Sequence, residues 1–113
     1  MNFLDKVDSF SSYKKGWDSY KADPPSQLAM NKAKDIITFL LNNNFIPTRV
    51  NPSCIGGIAV ARTIDLKEVF LEIHNNGKIY YMFANDKTEE IITGKLENID
   101  VFLREAKEYL NEC

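Results

Sequence analysis

The spacing of the apolar residues changes at Arg49, and this change constrains the fold more than any other feature of the sequence. Before Arg49 the apolar residues recur every three or four positions, as they do along one face of a helix. After it they alternate with polar residues, as in strands, until helical spacing returns near the C-terminus. This order predicts an α+β domain: two N-terminal helices, an antiparallel meander and a C-terminal helix, arranged in two layers.

The helical segments carry recognisable start and stop signals. The first helix is predicted over roughly 2–15, with Gly16 as the left-handed residue that ends it. The second is predicted to extend to about Leu41, and two prolines keep the chain before it extended. The residues expected to cap the three helices are Asn2, Ser26, and either Asn98 or Asp100.

The strands are separated by short turns, so they are expected to form an antiparallel meander of about four strands. The doubled glycine Gly56-Gly57 opens the first of them and indicates a bulge or a close approach between backbones. Residues 49–51 could add a brief edge strand that Pro52 ends. The four strands are predicted at 58–64, 68–74, 78–84 and 90–95.

The hairpin around Asn75-Asn76-Gly77 has two possible registers. A two-residue turn would pair Ile73 with Tyr80, whereas a three-residue loop over 75–77 pairs Ile73 with Ile79. Only the second register places every strongly apolar pair on one face, so it is the predicted one. It leaves these residues on the other face: Phe70, Glu72, His74, Lys78, Tyr80 and Met82.

Length and composition describe one ordinary globular domain over residues 1–113, with 44% apolar and 27% charged residues. No apolar run is long enough for a membrane span, and the N-terminus lacks the features of a signal peptide. Cys54 and Cys113 lie far apart in the sequence, which favours a cytoplasmic protein with free thiols. The net charge is −2 without a dense basic patch, so nucleic acid is not an expected partner.

Little in the sequence indicates catalysis. One histidine and two separated cysteines do not supply a metal site, and no phosphate-binding glycine loop is present, so no cofactor is expected. His74 is the one candidate general base, and Glu72 could orient its imidazole. No nucleophile accompanies them, because the spacing does not place Ser53-Cys54 nearby. The chain is therefore predicted not to be an enzyme.

The second face of the meander is the predicted binding surface. Phe70, Tyr80 and Met82 form an apolar group beside Glu72 and His74. If the helices cover only the opposite face, this group is exposed and marks an interaction site. If a helix or the N-terminal segment covers it, the group is a second small core. The sequence leaves both readings open.

Several short motifs between residues 13 and 95 match the pattern of one family. They are Gly16-Trp17-Asp18-Ser19-Tyr20 with Ala22, Pro24, Pro25 and Ser26, then Pro47, Pro52, Gly56-Gly57-Ile58-Ala59-Val60, and Leu71-Glu72-Ile73 with Gly77. On these residues the chain resembles a group of small bacterial proteins of unknown function. It departs from their pattern at Ser19 and Lys21, where the group has glycines. The resemblance implies a compact, intracellular, non-catalytic protein. Some such genes are accessory or mobile-element genes, which suggests antitoxin-like or anti-defence roles.

Three functions follow as hypotheses. The first is a protein-binding module, antitoxin- or immunity-like or self-associating, that uses the second sheet face or an edge. The second is a small-ligand binder, such as a phage or mobile-element anti-defence factor that sequesters a nucleotide signal. The third is a hydrolytic or nuclease enzyme centred on His74. The expected contacts of the small ligand are Trp17, Tyr20, Arg49, Arg62, Gly56 and Gly57. The tryptophan segment is otherwise expected to be a structural joint between the two helices.

Overall fold

The computed structural model describes residues 2–17 and 23–111. It confirms the α+β architecture, with one antiparallel sheet whose strands follow one another in chain order. The elements are α1 (Phe3–Ser9), a short 3₁₀ helix (Phe10–Ser12), α2 (Gln27–Asn42), β1 (Arg49–Pro52), β2 (Gly57–Ile64), β3 (Lys67–His74), β4 (Ile79–Asn85), β5 (Glu90–Lys95) and α3 (Ile99–Tyr109).

The sheet of the described residues has five strands, so the prediction of about four was one short. The additional strand is β1, which covers the brief edge segment anticipated at 49–51 and pairs with β2 from Arg49–Ala61 to Pro52–Ile58. The side chain of Val50 is fully buried in this strand. Burial on the helix side therefore turns a short, weak strand signal into a paired edge strand.

The three-residue hairpin loop is confirmed. Ile73 lies opposite Ile79, and Gly77 adopts a positive φ of 88°. The sheet accordingly has one face of consistently apolar residues, which packs against the helices. Its fully buried members from the central strand, β3, are Val69, Leu71 and Ile73.

The first helix was predicted too long. Regular α-helix ends at Ser9 and the 3₁₀ turn at Ser12, after which Tyr13 is extended. The hydroxyls of Ser9, Ser11 and Ser12 each donate to a carbonyl three residues back, and serines that bond locally to the backbone favour helix ends. Gly16 therefore does not end a helix. It has a positive φ of 80° in a turn closed by a hydrogen bond between the Trp17 amide and the Lys14 carbonyl.

The other helix signals are confirmed. Ser26 caps α2 by accepting a hydrogen bond from the Ala29 amide at 3.0 Å. Asn98, not Asp100, caps α3, because its side chain accepts from the amides of Asp100 and Val101. Both helices turn their apolar residues toward the sheet and join one core with it. The predicted two-layer arrangement follows from that shared core.

The hairpin loop of β3 and β4 is tied to the start of α2. The Asn75 side chain accepts a hydrogen bond from the Ser26 amide at 2.7 Å and donates one to the Pro24 carbonyl at 3.0 Å. The Ser26 hydroxyl donates to the Asn75 carbonyl at 2.9 Å. Lys32 adds a hydrogen bond to the Gly77 carbonyl. These contacts join residues 45 to 51 positions apart in the sequence and hold α2 against one end of the sheet.

The doubled glycine lies beside this joint, and the expected close approach is present. A Cβ on Gly57 would lie 2.0 Å from the carbonyl oxygen of Ile73, and the φ of Gly57 is +119°. A Cβ on Gly56 would approach the Asn75 side chain to 3.1 Å. The pair of glycines therefore serves the packing of β2 on β3.

Candidate functional site on the open face

All helices of the described residues pack on the same face of the sheet. We call the other face the open face. Strand pairing arranges its residues in rows that run across the strands, because paired residues of an antiparallel sheet point to the same side. One row contains Arg49, Ala61, Phe70, Met82 and Thr93, and the next contains Asn51, Ala59, Glu72, Tyr80 and Lys95.

The predicted apolar group lies in the middle of the open face. Phe70 lies directly opposite Met82, and Tyr80 belongs to the next row. Tyr80 is 36% exposed, while Phe70 and Met82 are half-buried. Together with Glu72 and Lys95 they line a shallow depression of about 400 Å³. Of the two sequence readings, the geometry of the described residues is that of an uncovered surface and not of a second core.

Glu72 is the polar centre of this group. Its Oε1 accepts a hydrogen bond from the Ser53 hydroxyl at 3.3 Å and lies 3.5 Å from Nε2 of His74. The His74 ring meets the Tyr80 ring edge-on, with 4.9 Å between centroids. The structure thus brings Ser53 to the Glu72–His74 pair, which the spacing of the sequence could not do.

The order of these three groups differs from that of a hydrolytic triad. In a triad the imidazole lies between hydroxyl and carboxylate, because it must take the hydroxyl proton. Here Glu72 is the group that both Ser53 and His74 approach. The arrangement can orient a polar group of a bound molecule, but it does not activate the Ser53 hydroxyl through His74.

A second depression, of about 390 Å³, opens on the same face near the loops at the other end of β3 and β4. Leu66 and Ile91 contribute exposed apolar surface to it, and Met82 lines both depressions. The carboxylates of Asp86 and Glu89 lie at this depression. An apolar surface with an acidic border therefore extends along much of the open face.

Glu68 lines the second depression, and its carboxylate accepts hydrogen bonds from Arg49 and Thr63. Burial raises the pKa of its carboxyl group, but hydrogen bonds from Arg49 and Thr63 and the charge of the Arg49 guanidinium outweigh that effect. The pKa of Glu68 therefore lies below its ordinary value. The Arg49–Glu68 distance is 3.0 Å, so this arginine is engaged in an ion pair within the open face.

The residues expected to contact a small ligand do not form one cluster. Arg49 points to the open face. Arg62 points to the opposite face, where its guanidinium contacts the Phe45 ring and donates a hydrogen bond to the Ile46 carbonyl. Gly57 lies at the opposite end of the same strand from Arg62, roughly 16 Å away at the rise of a strand. Gly56 precedes Gly57 beside Asn75.

Trp17 is the described residue of the tryptophan motif that makes ring and hydrogen-bond contacts. The Trp17 indole N–H donates to the Asp23 carbonyl, and its ring lies 5.4 Å from that of Tyr13. Tyr13 in turn contacts the buried Phe10. Tyr20 lies outside the described residues, so its expected contact remains a prediction.

Within residues 2–17 and 23–111, no three His, Cys, Asp or Glu side chains converge in a way that could hold a metal ion. No helix in that part of the chain is both long and apolar enough to cross a membrane. Comparisons of the chain with protein-family models, curated proteins and solved structures found no match.

Sequence reasoning missed two features of this surface. The contact of Ser53 with Glu72 depends on the turn between β1 and β2, and no periodic pattern reports that turn. The second depression could have been anticipated in part, since alternation in β5 places Ile91 on the same face as Met82. Its polar border comes from residues of the turn between β4 and β5, and strand alternation does not predict where turn side chains point.

Proposed function

We propose that this chain is a non-catalytic protein-binding module that receives its partner on the open face. The observation that carries the proposal is the placement of all described helices on one side of the sheet, with Phe70, Tyr80 and Met82 left on the other. Aromatic and methionine side chains are enriched at protein interfaces because they offer large, adaptable apolar contacts.

The polar groups around the depression give the surface its selectivity. Glu72 and His74 lie on one side of Tyr80, and Lys95 lies opposite Tyr80 on β5. A partner must satisfy these groups while it covers the apolar centre, so unrelated apolar surfaces are disfavoured. An antitoxin- or immunity-like protein requires such a surface for one defined partner. The exposed free thiol of Cys54 suits the reducing cytoplasm in which such a protein would act.

The test uses two matched substitutions. Tyr80→Lys places a charge in the open face, and Leu41→Lys places the same charge on α2 at nearly equal exposure, 36% against 37%. Proteins that co-purify with the tagged chain from its source cells are identified by mass spectrometry. The strongest candidate is then purified for calorimetric titration.

We expect Tyr80→Lys to weaken binding about tenfold or more, because it removes a central aromatic contact, while Leu41→Lys leaves the affinity unchanged. Equal affinities for Tyr80→Lys and the unmodified chain would contradict the proposal, and so would the absence of any specific partner.

A small ligand in the depression beside Tyr80 is the second candidate function. Its volume of about 400 Å³ lies within the range of ligand sites, and it combines aromatic with charged groups. A nucleotide signal would stack on Tyr80 and place its phosphates near Lys95. A thermal-shift series with mono-, di- and cyclic nucleotides tests this candidate, since a ligand that binds the folded state raises the unfolding temperature. No shift with any nucleotide removes it.

A further inference from the structure

The two edges of the sheet differ in how well they are protected. At β1 the side chain of Val50 is fully buried, Pro52 has no amide hydrogen, and Lys6 of α1 donates a hydrogen bond to the Asn51 side chain. Short length, proline and a covering helix are the usual ways in which proteins block an edge strand. The β1 edge is therefore closed to further pairing.

The β5 edge is less protected, although the Tyr109 hydroxyl of α3 donates a hydrogen bond to the Glu90 side chain. It is six residues long and contains no proline. Ile91 is 66% exposed on the open face, and Ile92 is 41% exposed on the helix face. A strand that presents apolar side chains on both faces at a free edge is a surface for strand addition.

The register shows which backbone groups of β5 are free. The Leu96 amide donates to the Ile79 carbonyl, and hydrogen-bonded pairs alternate along an antiparallel ladder. Residues 90, 92 and 94 therefore bond to β4, whereas the amides and carbonyls of Ile91, Thr93 and Lys95 point away from the sheet. This alternation offers another strand three evenly spaced donor–acceptor sites.

In one register, a negative charge next to β5 of one copy comes beside a positive charge on β5 of a second copy. When two copies of β5 pair antiparallel about Ile92, Lys95 at the end of each strand comes beside Glu89, the turn residue that directly precedes β5 of the other copy. Neither Glu89 nor Lys95 has an ion-pair partner within the described residues.

From these observations we infer that β5 is a self-association strand, and that its occupant is β5 of a second copy of this chain in the register centred on Ile92. The two-fold axis is perpendicular to the sheet, so both copies keep their helices on the same side. Ile92 contacts its counterpart, and Ile91 lies opposite Thr93 of the second copy. Two five-stranded sheets become one, and the open faces of the copies are continuous.

The first test removes the outward amide at the centre of the edge. Thr93→Pro keeps every hydrogen bond to β4, because the Thr93 amide points away from β4, but it blocks a new strand. Thr93→Ala is the matched control and keeps the amide. We expect sedimentation velocity over a concentration series to show a dimer for the unmodified chain and Thr93→Ala, and a monomer for Thr93→Pro. Circular dichroism establishes that Thr93→Pro is folded.

The second test addresses the register and does not depend on proline. Glu89→Lys and Lys95→Glu each create two like-charge pairs, so each should weaken the dimer about tenfold. The double variant with both charges exchanged should dimerise as the unmodified chain does. An equimolar mixture of the two single variants should form a mixed dimer, since every pair in it is again opposite in charge.

A chain that stays monomeric at all soluble concentrations overturns the inference, and so does a dimer that Thr93→Pro leaves intact. A dimer that forms but fails the charge exchange overturns the register. The inference does not rest on the proposed function, because the dimer is measured on the chain alone, without a partner protein.

Discussion

Replacing Asn75 with alanine tests the joint between the hairpin loop and the start of α2. The substitution removes two hydrogen bonds, one from the Ser26 amide at 2.7 Å and one to the Pro24 carbonyl at 3.0 Å. It leaves the bond from the Ser26 hydroxyl to the backbone carbonyl of residue 75 in place. The experiment thus isolates the side-chain part of the joint.

The expected loss follows from the number of bonds. A hydrogen bond contributes a net 0.5–1.5 kcal/mol, roughly, so two bonds predict that the free energy of unfolding falls by about 1–3 kcal/mol. The upper part of that range is expected because Ser26 and Pro24 are not fully exposed and water replaces the amide poorly. Asn76→Ala is the matched control. It removes one exposed hydrogen bond, which the Asn76 side chain accepts from the Lys78 amide, and should cost under about 1 kcal/mol.

Urea unfolding, followed by the fluorescence of the single tryptophan, measures both variants. Trp17 lies next to the joint through its bond to Asp23, so its signal reports on this region as well as on the whole domain. Equal losses for Asn75→Ala and Asn76→Ala would refute the reasoning, because they would show that the bonds across the joint contribute nothing beyond a local turn.

Two further predictions concern the sheet. Gly57→Ala should lower the free energy of unfolding by about 3 kcal/mol or more, because the added Cβ would meet the Ile73 carbonyl and the φ of residue 57 is positive. A smaller loss, measured by urea unfolding, would show that β2 can shift. Arg49→Met should cost under about 1 kcal/mol at neutral pH. Because the folded-state pKa of Glu68 is depressed, this cost should fade as the pH drops below 4.5 through that pKa, and a pH-independent cost would contradict it.

The sequence was sufficient where the deciding interactions are local or periodic. Ser26 caps α2 through an amide three residues away, so its role can be read directly from the chain. For α3 the sequence left Asn98 and Asp100 as alternatives, and the structure selects Asn98. The three-residue hairpin loop followed from alternation, because the other register would place apolar and polar residues on the same face. The glycine pair predicted a bulge or a close approach of backbones, and the structure shows the close approach at Gly57.

Local signals failed where competing interactions decide. The apolar spacing from Phe3 to Tyr13 continues past Ser9, but serine hydroxyls bond to the backbone and end the helix early. The strand signal of β1 was too short to interpret with certainty, and its formation depends on the burial of Val50 between α1 and the sheet. In α1 the local hydrogen bonds prevail over the apolar spacing, whereas in β1 the packing of Val50 prevails over the weak strand signal.

By itself, the sequence determined the order of helices and strands, the pairing of β3 with β4 and the set of residues that share the open face. These features depend on neighbouring residues along the chain and on the spacing of apolar residues. Only the tertiary structure decided which face the helices cover, the approach of Ser53 to Glu72, the joint between Asn75 and Ser26, and the exposure of the β5 edge. The physical reason is that each of these features needs segments far apart in sequence to pack together, and such packing depends on the whole core.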